Sequence, residues 1–370
     1  MTISMFRDAA PRFAERGVTL SASTVKYSPE WMHCLLDYMA AMRMNSLLWE
    51  VKISRGRESA GESGVSEDGF FATAEPYVTP EQARETLSYA RERGINVIPE
   101  INSPGHLRTW LTEFPQYAIP LASGEPDLER LDASNPEAVQ WYLDLADSYA
   151  RVFDSEWWHM GADEFENELD HRTYADYPHL AEIARQCFGS EAKPWDVNTA
   201  FVNTVNAHMK QRGKRLRIWN DGIRRGGVVP LDRDIVVEYW LDRKEASYSP
   251  EELAQAGHEL VNVPQYLYFS RSEKHIYHPS AQEVYEGKRR TLELFDGDQA
   301  MTVEGKNRGV RLSLWPDRDW FQTPGEALRE ARDMFILVGH IAWNGEPPFS
   351  SWSEFKGYAD SLELPDIPEY

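Results

Sequence analysis

The chain has 370 residues, 42% of them hydrophobic, so it is long enough and apolar enough to fold around a large core. A formal net charge of -21 argues against a nucleic acid partner, because the phosphates would be repelled. No apolar run approaches the length of a membrane span, so we expect no membrane partner. The N-terminal segment lacks an apolar stretch of signal-peptide length. We therefore expect an extracellular protein if a signal peptide has been removed, and otherwise a cytoplasmic one.

Segments typical of strands alternate with segments typical of helices along most of the chain. The first strand, RGVTLSA, precedes a helix that Ser28 would cap and Pro29 would open. The next strand, NSLLWEV, precedes a long polar loop, residues 54–69, which we expect either to border the active site or to be partly disordered. A helix capped by Thr79 follows the loop. The alternation continues to the helix TPGEALREARDMFILVG near the C-terminus. Eight strands are predicted, near Val18, Leu47, Val97, Trp158, Ile218, Val237, Val261 and Leu312.

Repeated strand–helix units predict a parallel sheet, and eight of them predict a (β/α)8 barrel. We assign residues 1–370 to one such catalytic domain. An open doubly wound sheet is the alternative. That fold usually has a glycine-rich first turn, which RGVTLSAST does not provide.

Functional side chains of such barrels follow the carboxyl ends of the strands. Carboxylates and aromatic rings recur at those positions in this sequence. The pattern suits a sugar, because aromatic rings stack on its faces and acids bind its hydroxyls or catalyse its cleavage. The side chains at these strand ends are Glu50, Glu100, Asn102, His106, His159, Asp163, Glu164, Trp219, Asn220, Asp221, Tyr239, Trp240, Asp242, Tyr266, Tyr268, Trp315 and Asp317.

Two carboxylates, Asp163 and Glu164, stand side by side in EWWHMGADEFENE. Neighbouring side chains of a strand point to opposite faces, so the pair reaches one cleft only where the strand ends. The alternative is an ordinary acidic loop. A metal site built from these two residues and His159 is a further alternative.

Six segments in this order and spacing resemble glycoside hydrolase family 20, the β-N-acetylhexosaminidases. They are GINVIPEINSPGH, HMGADE, RIWNDG, EYW, QYLY and LSLWPD, and the resemblance extends from Arg16 to about Trp320. Within the family the chain most resembles the compact dispersins, which cut the poly-β-1,6-N-acetylglucosamine of biofilm matrix. GADEFENE, RIWNDGI and YLYF carry that finer resemblance.

The resemblance implies a retaining mechanism in which the 2-acetamido oxygen of the substrate attacks the anomeric carbon. Glu164 would protonate the leaving oxygen and then deprotonate water. Asp163 would hold the acetamido N–H and stabilise the oxazolinium ion. Neither a metal nor a cofactor is implied.

The resemblance also implies a sugar-binding set around this pair. Tyr266 would bind the acetamido oxygen, and Asp317 would bind O4 or O6 of the ring. His106 and His159 would orient the carboxylates. The walls against the acetamido methyl and the sugar face would be Trp219, Trp240 and Trp315.

The sequence departs from the family pattern on the hydroxyl-binding side. The family carries an arginine after the first strand that grips O3 and O4, whereas this chain has Ser21 and Thr24 at the corresponding aspartate and arginine positions. Glu50 replaces a histidine-containing run, and we expect it to grip those hydroxyls. Asn102 replaces an expected aspartate. Asp242 would face a cationic glucosamine unit, or is a solvated loop acid.

We therefore expect a carbohydrate partner, and a dispersin-like hydrolase of poly-β-1,6-N-acetylglucosamine. The alternative within the family is a general exo-β-N-acetylhexosaminidase acting on glycan or chitin ends. A metal-dependent barrel enzyme and a non-catalytic sugar-binding barrel are alternatives of other classes. The acidic net charge favours the polymer, because poly-N-acetylglucosamine is partly deacetylated and cationic.

Overall fold

The structure is a computed structural model that describes residues 6–8, 10–22, 24–74, 76–166, 171–271, 276–316 and 322–370. Twelve strands are found in these ranges: β1 (Glu15–Ser21), β2 (Ser46–Glu50), β3 (Asn96–Ser103), β4 (Ala118–Pro120), β5 (Pro126–Leu131), β6 (Trp157–Gly161), β7 (Arg215–Trp219), β8 (Val236–Tyr239), β9 (Leu260–Asn262), β10 (Tyr268–Arg271), β11 (Ile276–Tyr277) and β12 (Asn307–Leu314).

Ten α-helices are found in the same ranges: α1 (Pro29–Ala41), α2 (Pro80–Glu92), α3 (Arg108–Leu111), α4 (Pro136–Ala150), α5 (Pro178–Phe188), α6 (Trp195–Gln211), α7 (Pro250–Ala256), α8 (Ala281–Glu286), α9 (Pro324–Asn344) and α10 (Trp352–Ser361). The predicted caps are confirmed. The Ser28 side chain accepts from the Trp31 N–H, and Thr79 forms a capping box with Gln82. No described helix is long and apolar enough to cross a membrane.

Eight strands close into a parallel barrel in the order β1-β2-β3-β6-β7-β8-β9-β12, and β12 pairs in parallel with β1. These are the eight strands predicted, so the (β/α)8 barrel is confirmed. The hairpin β4–β5 lies in the connection between β3 and β6. Strand β10 adds to the carboxyl end of β12 and pairs antiparallel with β11.

Alternation along each strand decides which side chains enter the barrel. In β2, Leu47 and Trp49 pack in the large core cluster that the helices share, whereas Leu48 belongs to a separate buried cluster. That smaller cluster consists of Leu48, Ile98, Trp157, Trp219, Val236, Val261 and Val263. Glu50 lies two residues after Leu48 and points to the same face of the strand. Its side chain therefore enters the barrel interior at the carboxyl end of β2.

The amino end of the barrel interior holds a ring of buried charges. Arg217 pairs with Glu15 and Glu238, and Arg311 pairs with the same two carboxylates. Burial alone would raise the pKa of Glu15, but the two guanidinium groups hold it well below its usual range. This ring fills the bottom of the barrel and leaves the carboxyl end open for a site.

Candidate active site

A cavity of about 1030 Å³ opens where the polar residues follow the barrel strands. Its volume suits a sugar or a short oligosaccharide. The structure brings most of the predicted site residues together in its wall. Those residues are Glu50, His106, Asp163, Glu164, Trp219, Trp240, Asp242 and Trp315.

The backbone after β6 turns both adjacent carboxylates into the cavity. Ala162 and Glu164 have φ of 77° and 50°, in the left-handed region that non-glycine residues rarely adopt. Gly161 also has positive φ, and a Cβ there would lie 2.1 Å from Asn102 Oδ1. Strand alternation therefore ends at Gly161, and Asp163 and Glu164 both line the cavity. Such strained backbone is common at functional sites.

His106 lies between the two carboxylates. Its Nε2 is 3.5 Å from Asp163 Oδ2 and 3.4 Å from Glu164 Oε2. Burial opposes the charged imidazolium, but the two carboxylates raise the pKa of His106 well above its usual value. A protonated His106 can therefore orient both members of the pair.

Asp163 is buried and held as an anion. Asn102 Nδ2 donates to its Oδ1 at 2.6 Å, and His106 faces its other oxygen. Burial would raise the pKa of Asp163, yet His106 and Asn102 together lower it. Asn102 thus supports Asp163, whereas the aspartate expected there would repel it.

Indole rings form the walls of the cavity. The ring of Trp219 meets that of Trp315 edge-on at 5.8 Å, and Tyr268 stacks beside Trp315 at 6.2 Å. The Trp219 indole N–H donates to Glu100 at 2.8 Å. Trp240 donates from its indole to Asp221, also at 2.8 Å. Each of these two indoles is therefore fixed by a buried carboxyl group, Glu100 on β3 for Trp219 and Asp221 after β7 for Trp240.

Glu50 lines the cavity on the side where the family arginine is missing. It accepts a hydrogen bond from the Ser21 hydroxyl. Its backbone is in register with that of Glu100 on β3. Burial, and then the neighbouring charge of Glu100, raise the pKa of Glu50 to about 7.

Three predicted residues stand apart from the set. Tyr266 is not among the described residues that line the cavity, and its hydroxyl donates to the Leu294 carbonyl at 2.6 Å. His159 lies beneath the cavity, and burial, with some contribution from Arg217 and Arg311, lowers its pKa to about 3. It is therefore neutral, and its Nδ1 accepts the Gly161 N–H at 3.0 Å. Asp317 lies outside the described residues.

The structure adds residues to which the sequence analysis assigned no individual role. Tyr268 lines the cavity two residues after Tyr266, and Arg243 lies beside Glu164 at 3.7 Å. Asp221 binds the Glu164 N–H, and burial followed by the charge of Asp163 raises its pKa to about 7. The position of Asp221 after the fifth predicted strand, in RIWNDG, could have indicated a role in the site. Arg243 lies in a loop, and no sequence pattern marks it as a site residue.

Two further expectations concern the neighbourhood of the site. Asp242 lines the cavity, and its Oδ1 accepts the Lys244 N–H at 2.8 Å. None of residues 54–69, the long polar loop after β2, lines the cavity. In the described part of the chain, no three His, Cys, Asp or Glu side chains are arranged to hold a metal ion.

Comparison with known proteins identifies the family of this chain. The sequence profile of the glycosyl hydrolase family 20 catalytic domain matches residues 13–317. A lacto-N-biosidase from Bifidobacterium bifidum is 36% identical over 362 residues, which cover 97% of this chain and 31% of that protein. The chain spans 57–58% of the β-hexosaminidase beta subunits of human and rat.

Two solved structures share the fold. A family 20 exo-β-N-acetylglucosaminidase from Vibrio harveyi, in complex with N-acetylglucosamine, superposes with a TM-score of 0.72 at 17% identity, covering 95% of this chain and 57% of that one. Dispersin B superposes with a TM-score of 0.64 at 18% identity, covering 90% of this chain and 100% of that one. The profile match and the lacto-N-biosidase identity together show that this chain belongs to glycosyl hydrolase family 20.

Proposed function

We propose that this protein is a retaining glycoside hydrolase that cleaves a β-linked N-acetylhexosamine with the help of the substrate's own acetamido group. One observation carries the proposal: an anionic Asp163 and a more open Glu164 share one aromatic-walled cavity. Asp163 would accept the acetamido N–H and stabilise the positive charge of the oxazolinium ion. Glu164 would give its proton to the leaving oxygen and then take one from water.

The acetamido oxygen needs a donor during its attack. We assign that role to Tyr268, because it lies in the cavity beside Trp315 while the hydroxyl of Tyr266 is committed to Leu294. The acetamido methyl would pack between the indoles of Trp219 and Trp240. These walls also exclude water, which strengthens the electrostatic contribution of Asp163.

The hydroxyl-binding side suggests that the bound sugar carries a substituent. Where the family has its arginine, the Thr24 hydroxyl donates to the Pro316 carbonyl at 3.1 Å, and Ser21 donates to Glu50. Neither side chain can replace a guanidinium that clamps O3 and O4. Lacto-N-biose carries galactose on O3 of its N-acetylglucosamine, so a site without that clamp suits a disaccharide. The identity to a lacto-N-biosidase supports the release of such a unit.

Cleavage of poly-β-1,6-N-acetylglucosamine is a second candidate. It is supported by the structural match to Dispersin B, which covers 100% of the Dispersin B chain. The charge argument for it does not extend to the cavity. Despite the acidic net charge of the chain, the described residues of the wall have no excess of negative charge that would attract a cationic polymer, because their six carboxylates are matched by six basic residues. The basic residues are Lys52, Arg108, Arg172, Arg224, Arg243 and Lys244. Release of single N-acetylhexosamines is a third candidate, since the structurally similar Vibrio harveyi enzyme is an exo-β-N-acetylglucosaminidase.

Product analysis on a substrate panel tests these proposals. The panel contains an aryl β-lacto-N-bioside, aryl β-N-acetylglucosaminide and β-N-acetylgalactosaminide, and β-1,6-linked N-acetylglucosamine oligomers. Glu164→Gln serves as the inactive control. We expect the highest kcat/KM on the lacto-N-bioside. Faster cleavage of a monosaccharide glycoside or of the oligomers would reassign the specificity, and no turnover of any member would refute the proposed activity.

A further inference from the structure

Asp221, in the loop after β7, connects three parts of the cavity that are distant in sequence. Its side chain is completely shielded from solvent. Its Oδ1 accepts the Trp240 indole N–H at 2.8 Å, and its Oδ2 accepts the Glu164 backbone N–H at 3.2 Å. The same Oδ2 is 3.1 Å from Arg243 Nη2. One carboxylate therefore holds the backbone of the acid, a wall of the cavity and a cation.

The bond to the Glu164 backbone stabilises an unfavourable conformation. Glu164 has φ of 50°, a conformation that carries an energetic cost for a residue with a Cβ. A hydrogen bond from its N–H to a carboxylate is of the charge-assisted kind and can offset that cost. Without Asp221, the backbone could relax and withdraw the Glu164 carboxyl group from the leaving oxygen.

Arg243 gives Asp221 a second way to act on Glu164. Its Nη2 is 3.1 Å from Asp221 and 3.7 Å from Glu164 Oε1, so the two carboxylates compete for one guanidinium. Arg243 Nη1 is anchored on the Glu166 carbonyl at 3.3 Å, which keeps the cation in place. If Asp221 were neutral, Arg243 would pair with Glu164 and stabilise its anion. An acid stabilised as its anion donates a proton poorly.

We propose that Asp221 is a positioning residue for the reaction. It aims the Glu164 carboxyl group at the leaving oxygen, and it draws Arg243 away from that carboxyl group. This inference rests on the proposed role of Glu164 as the acid. Asp221 itself need not touch the reacting atoms. Its contribution should therefore scale with how much the leaving group depends on protonation.

Two substrates with the same sugar and different leaving groups test this dependence. A dinitrophenyl glycoside departs with little protonation, whereas an oligosaccharide needs the acid fully. We expect Asp221→Asn to lower kcat/KM, which reports the step in which the leaving group departs, by about 10–100-fold on the oligosaccharide, a part of the ~10²–10⁴-fold that general acid catalysis contributes, and by less than about 3-fold on the dinitrophenyl glycoside. Asp144→Asn, an exposed change on α4, should alter neither rate. Equal losses on both substrates, or no loss on either, would overturn the proposal.

The pH profile of kcat/KM provides a second test, because a merely structural role of Asp221 would not shift this profile. Among the described residues, the charged groups that face Glu164 include Asp163, His106, Asp221 and Arg243. Removing the cation with Arg243→Gln should move the alkaline limb of the profile up by about one pH unit, because the acid then holds its proton more tightly. Asp221→Asn should move it down. Shifts in the same direction would contradict the competition for Arg243.

These tests separate the two proposals. If the wild-type protein hydrolyses no glycoside, the proposed function fails. If it does hydrolyse them but the variants show no dependence on the leaving group, only the role of Asp221 fails. Should Asp221→Asn not fold, as judged by circular dichroism, Arg243→Gln alone still decides: an unmoved or lowered alkaline limb would overturn the proposal.

Discussion

Replacing Glu50 by glutamine should stabilise the protein above neutral pH and leave its stability near pH 4 unchanged. Burial and the neighbouring Glu100 raise the pKa of Glu50 from an ordinary 4.5 to about 7. A carboxyl group whose pKa is raised by folding stabilises the fold when it is protonated. That stability is lost as the pH rises from the unfolded pKa to the folded one. The wild-type protein therefore bears the cost of an ionised Glu50 at pH 8, and the glutamine variant does not.

The magnitude follows from the shift of the pKa. Two to three pKa units at 1.36 kcal/mol each give an upper value of about 3 kcal/mol. Glu50 lines an open cavity, where water screens part of the repulsion, so we expect a gain of about 1–2 kcal/mol at pH 8. Glutamine keeps an oxygen that can accept from the Ser21 hydroxyl, so this bond is preserved.

Differential scanning calorimetry at pH 4 and pH 8 measures the effect. The melting temperature of Glu50→Gln should exceed that of the wild type by about 1–3 °C at pH 8 and match it at pH 4. Glu58→Gln, which neutralises an exposed carboxylate, is the matched control and should change neither value. An equal difference at both pH values, or a lower melting temperature at pH 8, would refute the reasoning.

Three further predictions concern the acid, the two tyrosines and the barrel bottom. Glu164→Gln should lower kcat/KM by about 10²–10⁴-fold on an oligosaccharide and far less on a dinitrophenyl glycoside; equal losses of kcat/KM in steady-state kinetics would contradict its role as the acid. Tyr268→Phe should lower kcat/KM, whereas Tyr266→Phe should mainly lower stability by about 1 kcal/mol in urea unfolding, because the Leu294 carbonyl loses the hydrogen bond from Tyr266 and keeps the one from Asn262. Glu15→Gln should cost about 3–5 kcal/mol at pH 7, because it breaks a buried ion network. Since the native pKa of Glu15 is lowered, its contribution persists above about pH 4.3 and declines below it, so the penalty should shrink in acid unfolding titrations.

The sequence predicted the barrel because its signals are local. Each of the eight strands is a short apolar run, and caps such as Ser28 and Thr79 mark where helices begin. The ring of Glu15, Arg217, Glu238 and Arg311 could not be predicted in the same way. Its members are up to 296 residues apart, and only barrel closure brings them together.

The candidate site was predictable where it follows strand ends and less so in the loops. Asp163 and Glu164 lie directly after β6, where side chains no longer alternate between the two faces of a strand. Both can therefore line one cavity. Tyr266 lies within a single turn of 3-10 helix and Tyr268 begins β10 directly after it, so the geometry of this turn decides which of the two tyrosines lines the cavity. Arg243 reaches Glu164 from an irregular loop, which no periodic pattern indicates.

The most direct test of substrate-assisted hydrolysis is a series of aryl glycosides whose acetamido group carries zero, one, two or three fluorine atoms. Fluorine withdraws electrons from the carbonyl oxygen and weakens it as a nucleophile, while the leaving group stays the same. If the acetamido oxygen attacks the anomeric carbon, kcat should fall steeply with each added fluorine. A kcat that does not change across the series would show that a group other than the acetamido oxygen is the nucleophile.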